Sequence, residues 1–339
     1  IPLTAEEIGG YRRIDSIKYA SRPVYRRLPT VLLGATLVAA MSHDLFHFNR
    51  VEGAYVGLGG RKKDIFPGTD LRFMSGYAID AELWEHTYGV TYHVPGRARM
   101  DVGIEWHDAV RHRPLGVSRT ESNSTVPALL TKRDPLDYFG ERGYTVNLST
   151  TWIRRTRFGV SFTDTRQWSL PKVTDFSFFE DEGEIARSNP AVLNGKLRAV
   201  GAEFRYDSRP LIRNKSRIET TRESEYTLMT ARVEYASPQF VSTDFDFRQY
   251  SIAFFTRQRL LGLGFTSIQA EWGGSDRVLP PQRYFTLTGR ALQMSSAHGF
   301  QTLDTFHFSG SRMLSVTAQH DFGKRFFGKS GIPLVRSIP

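Results

Sequence analysis

Residues 144–152 alternate between two kinds of side chain at every second position. One set is apolar or aromatic and comprises Tyr144, Val146, Leu148 and Trp152, and the other is polar and comprises Thr145, Asn147, Ser149 and Thr151. Successive side chains of a β-strand point to opposite faces, whereas a helix repeats every 3.6 residues. The segment therefore predicts a strand with one apolar and one polar face, as in a sheet wrapped around a polar interior.

Thirteen segments carry a version of this alternation, and aromatic residues lie at the ends of many of them. They are 51–59, 69–79, 84–94, 99–109, 142–152, 158–168, 196–207, 225–236, 244–256, 263–274, 282–290, 299–309 and 312–322. The predicted fold is all-β, an antiparallel transmembrane β-barrel of about 12–16 strands in the complete protein. Single-chain bacterial barrels have even strand numbers, so an odd count indicates one missed or one wrongly assigned strand.

The polar faces of several segments carry charged residues, such as Arg205 and Arg232. Charged side chains are tolerated in mid-strand where that face is wet or where the charges are paired. A soluble β-sandwich shows the same alternation with its apolar face turned inward. Periodicity alone leaves both architectures open.

Composition narrows the function classes. Cys is absent, which excludes a disulfide framework, a thiolate metal site and a Cys nucleophile. The formal net charge is +10, from 45 Lys and Arg against 35 Asp and Glu. The positive residues are scattered, and the one compact basic run is Arg61-Lys62-Lys63. This pattern favours anionic outer-membrane lipid, including lipopolysaccharide, over nucleic acid as a partner.

The two ends of the chain differ from its middle. The longest apolar run, 31–41, has eleven residues, whereas a membrane-spanning helix needs about 20. We therefore expect residues 1–48 to form a pre-barrel segment or linker and residues 49–339 to form the barrel. Pro333 and Pro339 interrupt the last segment, so we expect the barrel to lack its last strands here.

The segment Phe48-Asn49-Arg50-Val51-Glu52-Gly53, running into Tyr55-Val56-Gly57-Leu58-Gly59, carries a family resemblance. It resembles the opening barrel strand of large outer-membrane proteins that join a carboxypeptidase-regulatory-like N-terminal domain to a barrel of unknown function. That family is similar to the Bam/Tam-type outer-membrane assembly barrels. Weaker matches follow in order at 244–248, 262–264, 279–287, 300–308 and 320–323. Thr288-Gly289-Arg290 departs from the Arg-Gly-aromatic loop tip of the assembly barrels.

The resemblance implies a location in the bacterial outer membrane. It also implies a role in envelope protein biogenesis, or as a membrane-embedded partner of other envelope proteins in a complex. Two other functions stay open, namely a passive or gated outer-membrane channel and a soluble β-rich binding protein.

No arrangement of residues predicts catalysis, a cofactor or a metal, so we do not expect an enzyme. His86 and His93 are seven residues apart and face opposite sides of a strand. His43 and His47 could meet on a helix, but no carboxylate is placed to complete a site with them.

The charged residues predict an interior network instead. Arg50 and Glu52 lie two apart in the segment that resembles an opening barrel strand, so both should face the same side. The other predicted members are Glu203, Arg205, Arg232, Glu234 and Arg248. The favoured interpretation is a set of lumenal ion pairs that fills the barrel. The functional alternative is a selectivity ring or a latch for an inserted segment.

Overall fold

A computed structural model describes residues 45–96, 99–117, 124–151, 153–179, 185–214, 217–221, 223–260, 264–287, 300 and 308–322. The strands are β1 (Phe46–Asn49), β2 (Gly53–Phe66), β3 (Thr69–Ala78), β4 (Leu83–Val94), β5 (Met100–His112), β6 (Tyr138–Thr150), β7 (Thr156–Ser169), β8 (Gly195–Asp207), β9 (Leu211–Asn214), β10 (Arg217–Thr220), β11 (Tyr226–Ala236), β12 (Phe247–Arg259), β13 (Phe265–Ser275), β14 (Phe285–Thr286), β15 (Ser309–Gly310) and β16 (Met313–Asp321). The helices are α1 (Thr125–Thr131), α2 (Pro238–Val241) and a 3-10 helix at Pro281–Arg283.

Twelve strands form one antiparallel sheet in the order β1-β2-β3-β4-β5-β6-β7-β8-β11-β12-β13-β16. Each of the strands β2–β8 contains 10–14 residues, enough to cross the hydrocarbon core of a bilayer at the usual tilt. The predicted all-β antiparallel architecture is confirmed. In the described residues, no helix has the length and apolarity that a membrane-crossing helix needs.

Eleven of the thirteen predicted segments correspond to strands of this sheet. The segment 282–290 was predicted wrongly, because its described part holds the end of the 3-10 helix and the two-residue strand β14. Pro280 and Pro281 come just before it and cannot donate to a strand ladder. Most of the segment 299–309 lies outside the described residues, as do the apolar run 31–41, Thr288-Gly289-Arg290 and residues 331–339. The division at residue 48 stays a prediction.

The exposed outer face of the sheet is apolar and the buried inner face is polar, which is the reverse of the distribution in a soluble protein. Across β4–β8, one register row consists of Val90, Ile104, Val146, Phe162 and Val200. Ile104 is 50% exposed in this row, and Val90 and Val200 are also exposed. On the other face, Thr87, His107 and Thr165 are buried. Exposed apolar and buried polar side chains are the distribution of a membrane sheet whose outer face contacts lipid.

The sheet curls around its inner face, because elements far apart along it meet there. The Val173 N–H, after β7, donates to the Arg50 carbonyl oxygen between β1 and β2 (2.9 Å). Gln282, between β13 and β16, donates to Gln167 Oε1 on β7 (3.0 Å). Both contacts lie at the same end of the strands, which we call the loop end. Its connections are 50–52, 79–82, 113–137, 170–194, 237–246 and 276–312. The opposite end is the turn end, with connections 67–68, 95–99, 151–155, 208–225 and 260–264.

The interior of the loop end is partly apolar. Phe245, Phe247 and Leu279 pack with Leu197 and Phe285 in one buried cluster. These side chains come from β8, β12, the connection before β12 and the connection after β13, so the apolar cluster fixes two connections against the inner wall. Among the described residues, β1 pairs only with β2, and β16 pairs only with β13.

Candidate functional site

The turn between β1 and β2 places Arg50 and Glu52 inside the loop end. Asn49 Oδ1 accepts the backbone N–H groups of Val51 (2.9 Å) and Glu52 (2.8 Å), and Gly53 takes a φ of 68°. An Asn side chain bonded to the backbone two residues on is a common turn former, and Gly adopts positive φ without strain. The prediction that Arg50 and Glu52 lie on a strand is wrong, although both side chains do point into the interior, each only 2% exposed.

Arg50 binds the connection between β5 and β6. Its backbone N–H donates to Asp134 Oδ2 (3.1 Å), and its Nη1 donates to the Asp134 carbonyl oxygen (2.8 Å). Its Nη2 lies 3.4 Å from Asp137 Oδ1, and its guanidinium lies over the Tyr138 ring. Asp134 and Asp137 are also buried. Charge-assisted bonds of this kind are strong because little water competes for them.

Asp137 joins Arg50 to two further cations. Arg113 Nη1 donates to Asp137 Oδ2 (2.8 Å), and Arg187, from the connection after β7, donates to Asp137 Oδ1. Burial lowers the pKa of Arg113, and the Asp137 carboxylate acts in the opposite direction. We call Arg50, Arg113, Asp134, Asp137 and Arg187 the loop plug. It ties three connections together inside the loop end.

Three predicted network residues lie on the inner wall in ion pairs. Glu203 on β8 pairs with Arg232 on the adjacent strand β11. Glu234 on β11 pairs instead with Arg283 of the 3-10 helix (3.2 Å). The structure therefore brings the predicted pair Glu203 and Arg232 together. It brings neither of them to Arg50 or Glu52.

Arg205 and Arg248 are placed elsewhere. Arg205 also faces the interior, but at the turn end, where it lies 3.8 Å from Asp207. Arg248 lies on the outer face, over the Tyr235 ring and 3.7 Å from Asp276. The prediction of an interior Arg248 is wrong, because its buried neighbours Phe247 and Gln249 take the inward positions of β12.

The turn end is an open concavity instead of a packed one. A cavity of about 990 Å³ lies there, lined by basic and acidic side chains that include Arg61, Arg99, Arg155, Arg157, Asp70 and Asp101. Arg157 donates to Asp101 (2.8 Å), and His93 Nδ1 lies 2.7 Å from the same carboxyl group. In the described residues, a cavity thus lies at one end of the interior, and the buried ion pairs of the loop plug lie at the other.

The outer face of the loop end carries a basic row that the sequence analysis missed. Arg142, Arg166 and Lys196 are direct register partners on β6, β7 and β8. The outer row next to it, between the basic row and the apolar row, consists of Trp106, Tyr144, Asp164 and Arg198. Arg142 lies 3.5 Å from Asp108 on β5, and Lys196 lies 3.3 Å from Asp164 on β7, so these two carboxylates offset part of the like-charge repulsion within the row. The sequence did carry a signal for this row, because each of the three residues lies at a position where the alternation of its strand predicts an apolar side chain.

No known protein family matches the sequence, and no curated protein matches it. Among solved structures, the chain is similar to BamA from Haemophilus ducreyi lacking POTRA domains 1–3, with 9% identity and a TM-score of 0.47 over 80% of this chain and 51% of that one. It is also similar to CdiB from Acinetobacter baumannii, with 12% identity and a TM-score of 0.39 over 85% of this chain and 46% of that one. The chain spans about half the length of these two proteins. The predicted resemblance to the Bam/Tam-type barrels stays a prediction, and so does the carboxypeptidase-regulatory-like domain.

Proposed function

We propose that the protein is an outer-membrane β-barrel of the assembly-factor type. It acts in envelope protein biogenesis or as a membrane-embedded partner of other envelope proteins, and it has no catalytic activity. The observation that carries the proposal is an apolar outer face around an interior in which the loop plug holds three connections together by buried ion pairs. A diffusion pore needs a continuous wet path, and connections held inside the loop end work against one.

Conductance separates this function from the channel alternative. We expect the purified protein in planar bilayers to show no large, steady conductance, because Arg50, Asp134 and Asp137 hold the connections across the interior. The double variant Arg50→Gln/Asp137→Asn should show frequent large openings, because it removes the ion pairs that join the connections. Glu203→Gln is the matched control, because it breaks an ion pair between two adjacent strands and not one that joins connections. It should behave like the wild type. A large steady conductance in the wild-type protein would contradict the proposed function.

We infer further that the basic row binds anionic lipid of the outer leaflet, namely the phosphates of lipopolysaccharide. Arg142 and Arg166 are exposed, and they lie on the outer face beyond Trp106 and Tyr144. Aromatic side chains of membrane barrels lie at the level of the headgroups, so the basic row lies where phosphates are. This assignment places the loop end at the cell surface and the turn end in the periplasm.

The double variant Arg142→Glu/Arg166→Glu is expected to retain much less lipid A in detergent. Each basic residue near an anionic surface contributes about 1 kcal/mol, so the loss is about 2 kcal/mol, or roughly 30-fold in affinity. Arg154→Glu/Arg155→Glu, at the turn end, changes the same charge and should leave lipid A binding intact. Equal losses in both variants would show that only the net charge matters and would exclude a lipid site in the basic row.

A further inference from the structure

Three titratable side chains from separate elements meet beside the loop plug. They are His47 on β1, Glu52 in the following turn and Glu85 on β4, and each is at most 4% exposed. One nitrogen or oxygen atom from each of them lies within 4.8 Å of the other two. The sequence analysis found no carboxylate for His47, whereas the structure supplies two. His43 lies outside the described residues.

Two glycine residues of the inner wall, which have no side chains, allow these groups to come together. The Tyr55 side chain lies across Gly57 and Gly76, where a Cβ atom would come within 2.5 Å and 2.4 Å of it, respectively. The His47 ring stacks on the Tyr55 ring, with centroids 4.1 Å apart and planes 13° apart. Glu85 is the direct register partner of Gly76 on the next strand. Glycine at both positions therefore allows the stacked rings to approach Glu85.

The two carboxyl groups have few donors. Glu52 Oε1 lies 2.8 Å from His47 Nε2, and Glu52 Oε2 accepts a hydrogen bond from Asn49 Nδ2. Glu85 Oε2 accepts the Val110 N–H (3.0 Å). Glu85 Oε1 is buried without a hydrogen-bond partner in the described residues. Burial raises the pKa of Glu52, as expected where a carboxylate has lost water.

In the part of the chain that the structure describes, neither Glu52 nor Glu85 forms an ion pair with a Lys or Arg side chain; the one basic partner is His47. Two buried carboxylates this close to one another repel unless a shared proton or a cation lies between them. A single imidazolium offsets one of the two negative charges. One ligand atom from each of the three side chains lies within 4.8 Å of the other two, a spacing that one bound cation can bridge, and Glu85 Oε1 offers it a ligand.

We propose that His47, Glu52 and Glu85 bind a divalent transition-metal ion, with zinc as the best match to the ligand set. One imidazole nitrogen and two carboxylate oxygens suit zinc, which accepts three protein ligands and a fourth from solvent. The ion joins the edge strand β1 and its turn to β4. It acts as a structural clamp on the element that carries Arg50, and this assignment does not depend on the proposed function.

Zinc binding to the full chain tests the site. Purified protein in detergent is stripped with a chelator, dialysed and titrated with Zn²⁺ in a calorimeter, and bound metal is counted by mass spectrometry. We expect one tight equivalent in the wild type and at least 10–100-fold weaker binding in Glu85→Gln, because loss of a ligand costs no less than loss of a residue that orients one. Glu85→Gln should fold, since it keeps the side-chain volume and removes one buried negative charge.

Glu141→Gln is the matched control. Glu141 is also an interior carboxyl beside a His, with Oε1 2.9 Å from His107 Nε2, but it lies outside the proposed metal site. We expect Glu141→Gln to retain the tight equivalent, and Zn²⁺ to raise the melting temperature of the wild type and Glu141→Gln but not of Glu85→Gln. Equal binding by all three proteins, or no tight equivalent in the wild type, would overturn the site and leave the two carboxyls sharing a proton.

Discussion

Arg50→Met is expected to lower the free energy of unfolding by about 3–5 kcal/mol, the usual cost of leaving a buried charge without its partner. In the described residues, Arg50 is the one cation in contact with Asp134, whose carboxyl group is 1% exposed. The remaining donors to Asp134 are the Leu136 N–H and the Tyr138 hydroxyl, which carry no charge. Denaturant unfolding in detergent, followed by tryptophan fluorescence, measures the change.

Arg187→Met is the matched control for Arg50→Met. Arg187 contacts the same Asp137 carboxylate, but its side chain is 43% exposed. Exposed ion pairs contribute about 0–1 kcal/mol, so the control should be several-fold milder. Equal losses of unfolding free energy in the two variants would show that the effect of Arg50→Met does not come from the burial of Arg50. The loop plug would then stabilise the protein no more than a surface cluster of ion pairs does.

Ile104→Arg is expected to destabilise the protein in lipid by about 1–3 kcal/mol, more than a charge at the interface costs, because Ile104 lies on the lipid side of the row that contains Trp106 and Tyr144. Ile104 lies in the apolar row of the outer face, between Val90 and Val146, and is 50% exposed. On a water-exposed face the same substitution would be almost neutral. Its effect therefore separates the membrane barrel from the soluble β-rich protein.

Ile79→Arg provides the comparison for Ile104→Arg. Ile79 is 51% exposed, so the residue type and exposure are the same, but it lies in the short connection between β3 and β4. Charges near the interface cost about 0–1 kcal/mol. Similar losses from both substitutions, measured by refolding into vesicles, would argue against an outer face in contact with lipid.

The wall of the protein could be predicted from the sequence because alternation is a local property. Tyr144 and Val146 identify the outer face of β6 without knowledge of any other strand. Errors arose where a short element interrupts the alternation. Val51 reads as the start of a strand, although Asn49 and Gly53 on either side of it form a turn; both are common turn residues and were a usable signal.

The interior could not be predicted in the same way. Asp134, Asp137 and Arg187 lie in polar connections without periodicity, and nothing local marks them as buried. Their contacts with Arg50 and Asp137 join residues 50 or more positions apart in sequence. The same holds for Glu85, whose approach to His47 depends on the two glycines beneath Tyr55. Alternation predicts the face of the sheet on which a side chain lies, but not the residues that it contacts.

The sequence separations within the loop plug also bear on the order in which the molecule assembles. Most strands of the sheet pair with their neighbours in sequence, so the wall can grow one hairpin at a time. Arg50, by contrast, meets partners 84 and 87 residues further along the chain. Contacts across long loops carry a large entropic cost and form late. The wall is therefore expected to form around a hydrated interior first, and the plug to close it as one of the last folding steps.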